Sequence, residues 1–141
     1  MKLLDTMVIV YARDEDSPWN AWATDQIAEA VTRGGAGINA VSLAELCAEE
    51  GVEAAVVARK IAEIGVEVLD VPTSAAARCG EAYRAYRKQR KKESGKDSPK
   101  MPLPDFFIGA HAEVMGWELA TNDPQRFRNY FNVKLTTPRA R

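Results

Sequence analysis

Gly116-Trp117-Glu118-Leu119-Ala120-Thr121-Asn122-Asp123-Pro124 packs a whole structural unit into one short stretch. Gly116 is a stop for the helix expected over Asp105–Met115. Trp117–Thr121 then reads as a strand, and Asp123-Pro124 opens a short helix ending near Phe131. An acid thus stands where a strand gives way to a helix. The arrangement recurs: Asp5 follows the short buried strand Lys2-Leu3-Leu4, and Glu45 comes shortly after Gly37-Ile38-Asn39-Ala40-Val41. Asp105 opens the apolar run Phe106-Phe107-Ile108-Gly109-Ala110. In an open α/β sheet such junctions meet at the carboxyl ends of the strands, where ligands bind.

The rest of the chain fills in around these units. Met7–Ala12 either extends the first strand or begins a helix, and periodicity does not decide between them. Ser17-Pro18 signals a helix start, with Trp19, Trp22, Ile27, Ala30 and Val31 at helical spacing up to Gly34-Gly35. A strand is expected at Ala36–Ala40, helices at Ser42–Glu50 and Val52–Ile64, and a third strand at Val66–Val71. Pro72–Lys92 reads as a long helix, Glu93–Pro102 as a polar mobile loop, and Val133–Thr136 as a last edge strand. Strands alternating with helices predict the α/β class: a single domain over residues 1–141, built as an α/β/α sandwich. Its central parallel sheet is expected to have four or five strands.

The 141 residues suffice for a real core, and 46% hydrophobic and 28% charged residues are globular values. Charge is unevenly placed within a net of −1: residues 1–77 carry net −8, residues 78–100 net +6 and residues 101–141 net +1. An acidic body with one cationic segment fits a polyanion engaged locally. Cys47 and Cys79 lack CxxC spacing and read as small buried hydrophobes. No apolar run approaches the ~18 residues of a membrane span, and no cleavable leader follows the first strand. A soluble, cytoplasmic protein is expected, without a membrane partner.

Two readings compete for each acid. Ser42-Leu43-Ala44-Glu45 has the pattern of a capping box, and Asp5, Asp105 and Asp123 stand where a helix cap or first-turn acid belongs. Capping would account for each through about 1 kcal/mol of stability. Convergence is the alternative. Two like charges ~4 Å apart repel by ~4 kcal/mol at an effective dielectric of ~20, so four gathered carboxylates call for a cation or a bound proton. Hard oxygen ligands at an open cleft suit Mg²⁺ or Mn²⁺, and with them phosphate chemistry. His111 is the sole histidine, which excludes a two-histidine ribonuclease; it reads as a surface or packing residue.

Leu4-Asp5-Thr6-Met7-Val8-Ile9, Ser42-Leu43-Ala44-Glu45-Leu46, Pro104-Asp105-Phe106-Phe107-Ile108-Gly109-Ala110 and Leu119-Ala120-Thr121-Asn122-Asp123, followed by Arg126-Phe127, occur in that order. In this set the chain resembles the PIN domain, specifically the VapC-type toxins of prokaryotic type II toxin–antitoxin pairs. The resemblance implies a metal-dependent endoribonuclease in which Asp5, Glu45, Asp105 and Asp123 form the catalytic quartet. It implies one Mg²⁺ or Mn²⁺ held mainly by Asp5, Asp105 and Asp123, with Glu45 as a further ligand or a base that orients water. Thr6 and Thr121 keep hydroxyls beside the site, either orienting a ligand or water or serving as plain cap or turn groups. The family usually carries a small polar residue after the Asp-Thr pair, where this chain has Met7. A cognate antitoxin protein and a homodimer are further implications, and the Trp19, Trp22, Ile27 stripe is either core or a partner surface.

The cationic segment offers Arg84, Arg87, Lys88, Arg90, Lys91 and Lys92 to an RNA backbone, continued by Lys96 and Lys100, with Tyr83 and Tyr86 as stacking faces. The bland reading is a solvated helix end favoured by the helix dipole. Rival enzymes fit less well: a haloacid-dehalogenase-like phosphatase needs a second Asp where Met7 stands, and a receiver-type phosphoacceptor needs a Lys at a later strand end. The non-enzyme alternative is a catalytically inactive PIN-like module that binds RNA or protein.

Overall fold

The structure, a computed structural model, describes residues 1–94 and 101–138. Its elements run β1 (Lys2–Leu4), α1 (Thr6–Ala12), α2 (Asn20–Thr32), β2 (Ala36–Asn39), α3 (Ala40–Glu50), α4 (Ala54–Ala62), β3 (Val66–Leu69), α5 (Thr73–Ser94), α6 (Leu103–Met115), β4 (Glu118–Ala120), α7 (Gln125–Arg128) and β5 (Leu135–Thr136). Five parallel strands lie in the order β3-β2-β1-β4-β5. The expected parallel α/β/α sandwich is therefore present, with the larger of the two expected strand numbers.

Side-chain alternation along the short central strands divides the molecule into two cores. Leu4 and Ala120 enter one core with Val8, Ile9, Ile27, Ile38, Leu46, Val57 and Ile61, so α1 to α4 cover that face. Leu3 and Leu119, paired in register, enter the other with Cys79, Tyr86, Phe106, Ile108 and Phe127, so α5 to α7 cover the opposite face. Truncating a side chain as buried as Leu3 typically costs about 2–5 kcal/mol. Cys79 is buried and Cys47 half-buried against the first core, as small hydrophobes would be.

Strand order places the functional edge. From β1 the chain builds outward through β2 to β3, then returns through α5 and α6 to lay β4 on the other side of β1. The crevice at such a reversal lies beyond the carboxyl ends of the strands. Asp5 follows β1, Asn39 ends β2, and Thr121 follows β4 at that edge. Gly116, with φ +68, turns α6 into β4 in a backbone conformation costly for other residues. α6 therefore starts beside the edge at which β4 ends, which brings Asp105 of its first turn there.

Several expected boundaries move. Met7–Ala12, which periodicity left open, is helical: β1 ends at Leu4 and the still extended Asp5 (φ −63, ψ 147) is the residue from which α1 starts. α2 starts at Asn20 rather than Pro18; the Asn20 side chain donates to the carbonyls of Tyr11 and Ala12, tying α2 to the end of α1. α5 continues past Lys92 to Ser94, and most of the loop expected over Glu93–Pro102, with Lys96 and Lys100, lies outside the described residues. Among the described residues, no helix is long and apolar enough to cross a membrane.

Candidate active site

The capping box is not formed, and Asp5, Asp105 and Asp123 make no side-chain cap bond. α3 begins at Ala40, capped by Asn39, whose side chain accepts a hydrogen bond from the Ser42 backbone N–H at 2.9 Å. Ser42 is consequently inside the helix, and Glu45 stands beyond the first turn with no helix start to reach back to. Its carboxylate instead meets Thr6 Oγ1 at 2.8 Å, on α1. Asp5 occupies the cap position of α1 without a side-chain cap bond. The caps of α6 and α7 fall on Pro102 and Pro124, so neither Asp105 nor Asp123 is the cap residue, although Asp105 does stand in the first turn of α6.

Each acid is gripped through one oxygen. Thr121 Oγ1 donates to Asp5 Oδ2 at 2.8 Å and accepts from the Asp123 N–H at 3.0 Å, linking the ends of β1 and β4. Thr6 Oγ1 stands 2.8 Å from both Ser42 Oγ and Glu45 Oε1. A hydroxyl has one proton and an ionised carboxylate only accepts, so Thr6 gives its proton to Glu45 and takes one from Ser42. Arg126 holds the other two: Nη1 lies 3.3 Å from Asp105 Oδ1 and Nε 2.9 Å from Asp123 Oδ2. Asp105 Oδ2 is buried with no hydrogen-bond partner.

Burial and charge set the electrostatics. Asp5 and Asp105 are buried floor residues, whereas the Asp123 side chain is 44% and that of Arg126 39% exposed. Burial pushes the Asp105 carboxyl up to about 6; Arg126 opposes the shift, while Asp5, Glu45 and Asp123 reinforce it. Asp5 is raised too, by burial first, against the Thr121 hydroxyl, Arg126 and the Thr6 amide, and with help from Glu45. Burial works against the Arg126 charge, yet Asp105, Asp5 and Asp123 outweigh it and keep the guanidinium protonated. These mutual effects bring all four acids into one electrostatic neighbourhood. One guanidinium against four carboxylates leaves a surplus of negative charge.

That surplus, the all-oxygen donor set and the orphaned Asp105 Oδ2 fit a divalent cation. The geometry is not closed on one: among the described residues, no three Asp, Glu, His or Cys side chains are drawn together as a metal cage. Arg126 lies between Asp105 and Asp123 in this arrangement.

Other expected residues separate by environment. His111 is buried, 1% exposed, against the Trp117 ring, which makes it a packing residue. Trp22 and Ile27 belong to the first core. Arg84, Arg87, Lys88, Lys91 and Lys92 are exposed on α5 and Arg90 is half-buried; a groove there is lined by Tyr83, Arg84, Arg87, Lys88 and Lys91. Tyr86 is no stacking face, because it is buried against Phe106 and Tyr130 and its hydroxyl accepts from the Met101 N–H. Asn39 and the Asn122 side chain, which donates to the Tyr11 hydroxyl, are not singled out by sequence, in which Ser42 reads only as a cap. Asn39, at a strand end before a helix, carries a capping signal that competes with that of Ser42.

Fold and site together define an α/β protein with an acidic cleft at its topological switch point. A family model described as PIN domain matches residues 2–131, and the chain belongs to that family, one of nucleases. No curated protein matches the chain. Among solved structures, one chain of VapBC from Salmonella typhimurium, in a DNA-bound complex, is similar with a TM-score of 0.67 and 20% identity over 96% of each chain. FitAcB from Neisseria gonorrhoeae gives 0.65 and 23% over 98% of each chain, and VapBC-1 from nontypeable Haemophilus influenzae gives 0.66 and 19% over 96% of each. At these identities the likeness speaks for the fold alone.

Proposed function

We propose that the chain is a Mg²⁺- or Mn²⁺-dependent endoribonuclease, the VapC-type toxin of a toxin–antitoxin pair, with Asp5, Glu45, Asp105 and Asp123 as its catalytic acids. The observation that carries this reading is the set of four carboxylates in one electrostatic neighbourhood, held by Thr6, Thr121 and Arg126. Asp5, Asp105 and Asp123 would hold the ion, which when bound supplies a water activated near neutral pH and stabilises charge on the phosphate. Glu45, half-buried and fixed by Thr6, would orient a water and accept its proton. Thr121 fixes Asp5 and thereby the position of the buried ligand. The antitoxin partner is supported by the complexes named VapBC and FitAcB that share the fold.

RNA cleavage with Mn²⁺ or EDTA, on wild type and Asp5→Asn, tests the reading. EDTA-sensitive cleavage lost in Asp5→Asn is the expected result; full cleavage by that variant would refute the site. RNA would track the exposed cations of α5. Replacing Arg84, Lys88, Lys91 and Lys92 by Gln should flatten the dependence of binding on salt, by about 0.7 in slope for each single-strand phosphate no longer neutralised. An unchanged slope returns these residues to a solvated helix face.

A further inference from the structure

Arg126 belongs to this site without being one of its acids, and its placement is unusual for a surface cation. It stands in a helix of only four residues, α7, yet bridges two separate parts of the fold: Asp123 of the β4–α7 turn and Asp105 of α6. Packing fixes this approach. A Cβ at Gly109 of α6 would lie 2.4 Å from the Phe131 ring and 3.1 Å from that of Phe127, so glycine alone lets the α7 segment come this close. Phe127, adjacent to Arg126, is 1% exposed in the core beneath. The backbone of Arg126 is therefore anchored, while its side chain keeps an open path to solvent.

We propose that Arg126 is a built-in counter-cation of the acidic site, which must leave Asp105 and Asp123 for a divalent ion to be held there. This rests on the reading that the acids bind such an ion. Guanidinium and ion need the same carboxylates, and two cations at one cluster repel each other. The acids are compensated in turn: by Arg126 when metal is absent, by metal when it is present. A released guanidinium, anchored at the rim by Phe127, presents planar paired donors suited to a phosphate oxygen pair. Metal loading and the exposure of a phosphate-binding group are then one event. Until then Asp105 and Asp123, rather than RNA, engage the Nη1 and Nε donors of that group.

Calorimetric titration of Mn²⁺ into metal-free wild type, Arg126→Gln and Arg126→Lys reads the exchange directly. Arg126→Gln should bind Mn²⁺ at least about tenfold more tightly than wild type, with Arg126→Lys, which keeps the charge, closer to wild type. Its cleavage should nevertheless be slower. Equal or weaker Mn²⁺ binding by Arg126→Gln overturns the exchange and leaves the metal reading standing. Absence of Mn²⁺ binding in every protein overturns both. A second measurement needs no variant: the Arg126 Nε–H resonance of wild type should lose its Asp123 hydrogen bond and exchange faster with water as Mg²⁺ is added. A resonance unmoved at saturating Mg²⁺ refutes the displacement even if Arg126→Gln fails to fold.

Discussion

The two ends of β1 handle charge in opposite ways although only Leu3 and Leu4 lie between Lys2 and Asp5. At the amino end, buried Lys2 places Nζ 2.9 Å from Gln26 Oε1 and 3.7 Å from Glu118 Oε1, across the register pair it forms with β4. One cation meets one anion and one amide. At the carboxyl end, Asp5 shares its surroundings with three further acids and a single arginine. The first arrangement is complete as it stands and reads as architecture. The second carries more charge than the chain compensates, which is what a protein keeps where a ligand will supply the remainder.

The sharpest way to break this contrast is to neutralise the acids without changing their shape. Asp105→Asn, Asp123→Asn and Glu45→Gln, like Asp5→Asn, are expected to reduce metal-dependent RNA cleavage by on the order of 10³-fold, beyond the 10–100-fold typical of losing a supporting partner. Circular dichroism should show the fold retained. Undiminished cleavage by any of them would remove that residue from the site.

A smaller effect follows from Asp105, whose pKa rises from 3.8 to about 6 on folding. Between these values the folded chain keeps a proton that the unfolded chain has lost, so stability falls as pH increases through the window and the loss is complete above about 6. The cost amounts to about 3 kcal/mol. Arg126 softens it, and Asp5, Glu45 and Asp123 deepen it. Urea denaturation in EDTA should therefore show wild type and Asp105→Asn diverging as pH rises from about 4 to about 6.5, the variant gaining. Parallel curves would show that the carboxyl end is not charge-strained.

The amino end should respond in the reverse sense. Lys2→Met leaves Glu118 with Lys134 at 3.9 Å and its own 28% exposure, so a loss of about 1–3 kcal/mol in urea denaturation is expected. Cleavage per folded molecule should stay unchanged. A loss of cleavage equal to that of the acid variants would erase the distinction between the two ends.

Local periodicity made the sheet legible: short apolar runs closed by an acid or a helix start appear in the chain as they do in space. The acids were legible as residues but ambiguous in role. Ser42 and Glu45 fit a capping box, and only the competing cap at Asn39, one strand end earlier, frees Glu45 for Thr6. The role of Arg126 was beyond reach because one of its partners, Asp105, is 21 residues away and reaches it through packing at Gly109. Tyr86 misled for the converse reason: its neighbours in sequence are cations, whereas its neighbours in space are aromatic.

The hydrogen bond from Thr121 to Asp5 spans 116 residues, and β4 takes a place beside β1 that nothing earlier in the chain fills. During synthesis, Asp5 leaves the ribosome well ahead of that hydroxyl, on a strand with one side still open. Its fixing hydroxyl, Asp123 and Arg126 arrive only with β4 and α7. The cleft therefore does not exist until that stretch has emerged, and an enzyme aimed at RNA would be made beside ribosomes and their message without the means to cut either until β4 and α7 are in place.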